Sequence, residues 1–262
     1  MSYVFRLFSA FVKVNLQQAF AYRADTLLNV AMNLFWLFWE LLSLQVIFAN
    51  TASLSGWGLG ELIALLGVWR MGNMLMFTLI WPNTERFNTS IRDGSFDYNL
   101  LQPVNSQFLV SFSRMDVWRV WEIFLSIVLI TVGLGMSDKI VTPGNLVGFI
   151  ALILSGMSIL YSLWIVLIAF TFWFVKFDNN VTLMHALMDA GRYPSTIYPA
   201  WLRVIVTFII PIAVATTVPL QALRGDLLWW QVLLFLGVGA ASLFVSSRIW
   251  RAGVRKYSSA SS

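Results

Sequence analysis

Six long apolar runs, separated by polar stretches, set the pattern of the chain. They cover 26–48, 62–81, 117–135, 146–175, 202–219 and 228–249. A helix needs about 20 mostly apolar residues to cross about 30 Å of hydrocarbon, so each run predicts one transmembrane helix. The fourth run is too short for two crossings, which would take about 40 residues, and predicts one long or tilted helix. None of the runs alternates apolar and polar residues, which argues against a membrane β-barrel. The expected fold is an all-α polytopic membrane protein, with one transmembrane domain over residues 1–262.

Ahead of the first run, Val4, Phe5, Phe8, Phe11 and Val12 recur at helical spacing, with Arg6 and Lys13 off that stripe. Lys13, Asn15, Gln17 and Gln18 interrupt the apolar character, so 1–22 predicts an amphipathic helix lying in the membrane interface. Ala19-Phe20-Ala21 has the form of a signal-cleavage site, but no uninterrupted apolar segment precedes it and no signal peptide is expected. The small polar residues 258–262 predict a frayed tail.

The longest polar stretch, 82–108, follows the second run. Pro82 suits a helix start. Residues 84–92 predict a short helix, with Gly94 as a left-handed cap. Asp97 is placed to cap a second short helix through Leu101, stopped before Pro103. A mere connector needs only a few residues, so this length predicts a compact platform. A second polar stretch, 176–201, holds Lys176, Asp178, His185, Asp189 and Arg192, then Tyr193-Pro194 and Tyr198-Pro199, which favour extended backbone. His185 has no second His and no Cys, and is expected to be solvated or capping.

Six spans put both termini and these two stretches on one side. That side collects Arg6, Lys13, Arg23, Arg86, Arg92, Arg114, Arg119, Lys176, Arg192, Arg203, Arg248, Arg251, Arg255 and Lys256, against Lys139 and Arg224 on the other. Such an imbalance predicts cytoplasmic termini. Trp57, Trp81, Trp118, Trp121, Trp201, Trp229, Trp230 and Trp250 lie near span ends and are expected as interface anchors.

Composition narrows the function classes. Hydrophobic residues make up 59% and charged residues 11%, with a mean hydropathy of +0.77; a soluble enzyme, a disordered chain and a nucleic-acid binder are excluded. With no cysteine and one histidine, disulfides, thiolate chemistry and zinc sites are excluded too. G-x-x-x-x-G-K-[ST], H-E-x-x-H and G-x-S-x-G are absent, so no catalytic residue, metal or cofactor is expected on this chain. Gly133-x-Gly135 is read as a span end, not as a helix-packing motif.

Glu40 and Arg70 lie inside spans, where each charge is costly. At 1.5 Å per residue both fall about 9–12 Å below the outer surface. Three readings stand: a buried packing pair, a pair lining a pathway, or no contact. Glu122, beside Arg119 near the cytoplasmic end of the third run, is expected to snorkel.

Several segments carry a family resemblance. They are Phe20-Ala-Tyr-Arg-Ala-Asp25, Ile91-Arg-Asp-Gly-Ser-Phe-Asp-Tyr-Asn-Leu-Leu-Gln-Pro-Val104, Tyr193-Pro194, Phe208-Ile-Ile-Pro211 and Val218-Pro219. In this order, with six spans, the chain resembles the permease subunit of type-2 ATP-binding-cassette exporters, in a bacterial subgroup of mostly unassigned substrate. The resemblance implies a multi-pass protein of the bacterial inner membrane, paired with a second permease of the same or a sister chain. It implies a separate cytosolic ATPase that uses ATP and Mg. It implies that Glu85, Arg86, Arg92, Asp93, Gly94, Asp97, Leu100, Leu101 and Pro103 form the region that docks on that ATPase. Within it, Leu100 and Leu101 would be the anchors. It places the first, second and fifth spans at the dimer axis, with a kink at Pro211. Membrane lipids are the other expected partners, and nucleic acid is not one. The rival reading is an ion-coupled secondary transporter, which would need intramembrane acidic residues and an internal repeat, both weakly represented here.

Overall fold

The computed structural model describes residues 2–21, 23–137, 141–174, 180–209 and 212–257. The expected kink at Pro211, the tail 258–262, and Lys139, Lys176 and Asp178 lie outside the described residues. The regular elements are helices: α1 (Ser2–Ala21), α2 (Arg23–Ala49), α3 (Leu59–Leu75), α4 (Trp81–Arg92), α5 (Phe96–Leu100), α6 (Ser106–Phe112), α7 (Trp121–Gly135), α8 (Pro143–Ala169), α9 (Asn180–Ala190), α10 (Ala200–Val204), α11 (Ile212–Ala215), α12 (Thr217–Leu223) and α13 (Trp229–Lys256). Among the described residues, five helices are long and apolar enough to cross a membrane: Arg23–Ala49, Leu59–Arg92, Val117–Gly135, Pro143–Phe172 and Trp229–Lys256.

The second of these runs unbroken through α3 and α4 for 34 residues. Pro82 therefore does not begin a helix; it lies inside one. Proline has no N–H to give to the carbonyl four residues back, here that of Thr78. The chain widens into a π turn over Met76–Ile80. The Asp116 N–H, just ahead of α7, donates to the Thr78 carbonyl at 2.9 Å in its place. The helix spans about 51 Å, so its α4 end projects well beyond a membrane core of about 30 Å.

Two close pairings build the bundle. Along α3, Gly60, Ala64 and Gly67 meet Gly133, Ile130 and Ser126 of α7; a Cβ on Gly60 would lie 2.5 Å from the Gly133 carbonyl. Gly133 is thus part of a small-residue helix contact and not only a span end. Along α8 and α13, the Ser155 hydroxyl donates to the Phe235 carbonyl at 2.7 Å, in the space left by Gly239.

The fifth apolar run differs most from expectation. Ala200–Thr207 and Ile212–Leu223 are inclined at 65°, and both ends of this bent pair return to one residue. Trp57 Nε1 donates to Thr196 Oγ1 at 3.1 Å, just before α10. The Arg224 guanidinium, just after α12, covers the Trp57 ring at 4.5 Å. Ser55 and Gly56, at φ +52° and +84°, form the tight turn that presents this tryptophan. The pair therefore enters and leaves at one end of the bundle. The length of the bundle is instead traversed by the stretch expected as a cytoplasmic loop. His185 packs edge-on to Trp81 at 4.3 Å. The Met188 carbonyl accepts from Trp69 Nε1 at 2.7 Å, and Thr196 reaches Trp57 at the opposite end of α3. His185 is thus packed among rings rather than solvated or capping.

Two of the eight tryptophans expected as interface anchors are core. Trp57 and Trp250 are 4% and 1% exposed, whereas Trp201, Trp229 and Trp230 stay exposed as anchors would. At the Trp250 end, Phe87, Phe96, Phe172, Trp250 and Tyr257 form one cluster with ring centroids between 5.3 and 6.3 Å apart.

Candidate functional site

Two features concentrate polar chemistry: a platform at the Trp250 end and a charge network inside the bundle.

The platform is α4, α5 and α6. Its root is Asn83, whose side chain is 1% exposed. Its amide N–H groups donate to the carbonyls of Leu79, Ser111 and Arg114. Its carbonyl accepts from the Ser113 hydroxyl at 3.0 Å and the Arg114 N–H at 3.1 Å. One buried asparagine thereby staples the far end of the platform to α4. Beneath, Phe87 of α4 and Phe96 of α5 enter the aromatic cluster and tie the platform to the ends of α8 and α13. Neither residue stood out in the sequence as anything but apolar.

The turn between α4 and α5 is as expected at Gly94, which takes φ +75°, a conformation that glycine alone adopts without strain. The cap differs: Ser95, not Asp97, precedes α5, and Asp97 lies in its first turn. The carboxylate of Asp93 accepts from the Ser95 N–H at 2.9 Å. Hydrogen bonds from the Ser95 side chain and backbone hold the Asp93 carboxyl below its ordinary value. Burial pushes the Tyr257 hydroxyl up, and the carboxylates of Asp97 and Asp93 add to this.

Of the residues implicated by resemblance, Glu85, Arg86, Arg92, Asp93, Leu100, Leu101 and Pro103 are exposed, and Gly94 and Asp97 are half-buried. Leu101 is 81% exposed and Tyr98, which sequence reasoning missed, 72%. An open groove of about 760 Å³ runs between α1 and the platform, lined by Phe11, Arg86, Asp93, Tyr98 and Arg114 among others. α1 is held there by Asn15, whose carbonyl accepts from the Met115 N–H at 3.2 Å.

Inside the bundle, Arg70 Nη2 lies 2.6 Å from Glu40 Oε2, and its Nε donates to the same oxygen at 2.9 Å. The other Glu40 oxygen faces Arg192 at 3.5 Å. Arg70 Nη1 donates to Asn33 at 3.0 Å. The Asn33 amide donates to Glu122 at 3.2 Å, which also takes Arg119 at 3.1 Å. Glu122 does not snorkel; it is 4% exposed. Asn33 and Glu40 are seven residues apart, two helical turns, so both lie on the one buried stripe of α2 with Leu37 and Leu44. The path Arg192–Glu40–Arg70–Asn33–Glu122–Arg119 links α2, α3, α7 and the segment after α9. Such chains satisfy charges that would be prohibitive alone. Asn33 and Arg192 give little signal in the sequence: one is a lone polar residue on the α2 stripe, the other one of several loop cations.

At the opposite end, Arg224 contacts Glu61 at 3.2 Å and Asp226 at 2.8 Å, beside Trp57. Among the described residues, no three His, Asp or Glu side chains converge to hold a metal ion.

A family model described as ABC-2 family transporter protein matches residues 34–261. No curated protein and no solved structure gave a significant match.

Proposed function

The chain belongs to the ABC-2 family of transporter proteins, and on that premise we propose that it is the membrane-spanning subunit of an ATP-driven exporter. It forms the translocation pathway with a second permease and takes its energy from a separate cytosolic ATPase. The protein lies in the inner membrane of a bacterium, with the platform and both termini in the cytosol.

The observation that carries this reading is the rigid mounting of the α4–α6 platform with apolar side chains left at its tip. Leu100, Leu101 and Tyr98 are exposed, while Asn83, Phe87 and Phe96 beneath them are locked. A partner that seats on Leu100 and Leu101 pushes on a continuous helix reaching from the cytosol to Leu59. Arg86, Arg92 and Asp93 supply polar rim contacts. Binding and hydrolysis of ATP with Mg in the partner shift the population of transport states, because the partner binds those states unequally. This chain contributes positions and movement, not bond chemistry. α2 leaves Leu28, Trp36, Phe38 and Val46 exposed along its length, which suits a lipid-facing or permease-facing helix beside the charge network.

The test is co-purification in mild detergent. The wild-type chain should bring down a P-loop ATPase in stoichiometric amount. Leu100→Asp combined with Leu101→Asp should weaken that capture more than about 100-fold, as loss of central anchors does, while insertion is unchanged. Undiminished capture by the double variant moves the docking site elsewhere, and recovery of the chain alone in every detergent removes the ATPase from the reading.

A further inference from the structure

A groove on the outside of the bundle changes character along its length. One part, about 270 Å³, lies between α3, α8 and α13, with Leu79, Met157 and Leu243 among its mostly aliphatic walls. The next part, about 390 Å³, lies under α6, where Asn105 and Gln107 join Val104, Phe108 and Phe112 in walls that are still mainly apolar. Tyr161 lines both parts, and no charged side chain lines either.

The change falls at a definite depth. Counted from Pro143, the start of α8, Met157 lies about 21 Å along the helix and Tyr161 about 27 Å. Leu243 lies about 21 Å from Trp229, the start of α13. A hydrocarbon core of about 30 Å measured from that end stops just past Tyr161. The aliphatic part is therefore inside the leaflet on the platform side, and the part that carries Asn105 and Gln107 is at its headgroup boundary. At the boundary, the Tyr161 hydroxyl bonds Ser111 Oγ at 2.8 Å and accepts from Gln107 Nε2 at 3.2 Å. Among the described residues the Asn105 side-chain N–H has no partner, so one donor remains at the mouth.

We propose that this groove binds one glycerophospholipid of the platform-side leaflet. An acyl chain lies along Leu79, Met157 and Leu243. The glycerol ester region, which only accepts hydrogen bonds, meets the Asn105 side-chain N–H. With no charge in the walls, recognition stops at the esters, and zwitterionic and anionic headgroups are held alike. α6 belongs to the platform and α8 to the bundle, so the lipid fills the joint between them. The site requires only that the chain spans a membrane; no ATPase enters it.

The experiment is lipid retention by the full chain without any ATPase. The protein is equilibrated in bilayers of equimolar phosphatidylethanolamine and phosphatidylglycerol, extracted into detergent and read by native mass spectrometry. Wild type should keep one phospholipid per chain, drawn from both classes. Met157→Trp fills the aliphatic part and should lose it with no change in melting temperature. Leu243→Trp does the same from the lipid-facing wall, where extra bulk is tolerated if Met157→Trp fails to fold. Asn105→Ser, which keeps an oxygen for the Gln107 N–H, should shed lipid about fivefold faster, the factor for one net hydrogen bond. Absence of lipid on wild type, or full retention by both Trp variants, overturns the proposal. Retention of a single headgroup class overturns ester-level recognition and marks a site selective for one headgroup.

Discussion

Glu40 is a carboxylate held between two guanidinium groups on a helix that is otherwise mostly exposed. Removing the shared carboxylate leaves the buried Arg70 charge uncompensated, so Glu40→Ala should destabilise the folded protein by about 3–5 kcal/mol in detergent unfolding. The double exchange Glu40→Arg with Arg70→Glu should recover only part of that loss, because an arginine at 40 would face Arg192. Complete recovery would show that Arg192 does not sit on Glu40. Asn83 is the other residue on which much depends. Asn83→Leu strands several backbone groups of 111–114 at about 1–3 kcal/mol each, and should loosen the platform, read as faster amide exchange confined to 106–116. Asp116 gives a pH signature. Burial raises its carboxyl above the ordinary value of 3.8, against the opposing pull of Arg119 and Arg114. A group raised on folding binds its proton more tightly when folded, so its stabilising contribution is present below 3.8 and is lost as pH rises through the raised value. Asp116→Asn should remove that component, and an unaltered pH profile of melting temperature would refute the burial.

At the scale of elements, the union of α3 and α4 is decided by one missing N–H. The pattern read Pro82 as a boundary because proline usually is one. It is interior here because a π turn and the Asp116 N–H together satisfy what the proline leaves open. The crossing of α3 and α7 rests on the absence of side chains. Gly133→Val should force the helices apart at Gly60 and Ala64 and cost about 1–3 kcal/mol as an overpacked contact. A melting temperature equal to wild type would mean the two helices are not in contact there. Gly94 was legible from sequence because its need is local: a chain reversal between two short helices. The anchoring of those helices by Phe87 and Phe96 was not, since an aromatic residue in a short amphipathic segment looks the same whether it meets a membrane or a core.

For the whole molecule, the decisive arrangement is that Thr196 and Arg224, on either side of the bent pair Ala200–Thr207 and Ile212–Leu223, meet at one end, clamped by Trp57 and Glu61. It moves Arg192 and Arg203 away from the platform end, yet leaves the clusters at the N-terminus, the platform and the end of α13 together there. Because the chain has no cysteine, single cysteines report side cleanly. Ala200→Cys and Asp226→Cys, one before and one after the bent pair, should both react with a membrane-impermeant maleimide from the same, outer side. Labelling of Ala200→Cys only from the cytosolic side would restore the simple six-span path.

The sequence by itself determined where apolar helices form, that they span a membrane, where the polar platform interrupts them, and which family the chain resembles. These follow from free energies summed over neighbours in the chain: transfer of consecutive side chains out of water, and the backbone preferences of glycine and proline. The tertiary structure alone decided which apolar segments cross, which return and which lie buried. A crossing helix, a re-entrant helix and a core helix leave water with similar gain, so hydropathy does not distinguish them. It also decided the partners of every buried charge. Asn33 meets Glu122 across 89 residues and Trp57 meets Thr196 across 139. No local pattern encodes such distances, because they are set by packing, by small residues that let helices approach, and by the need to pair each polar group carried out of water.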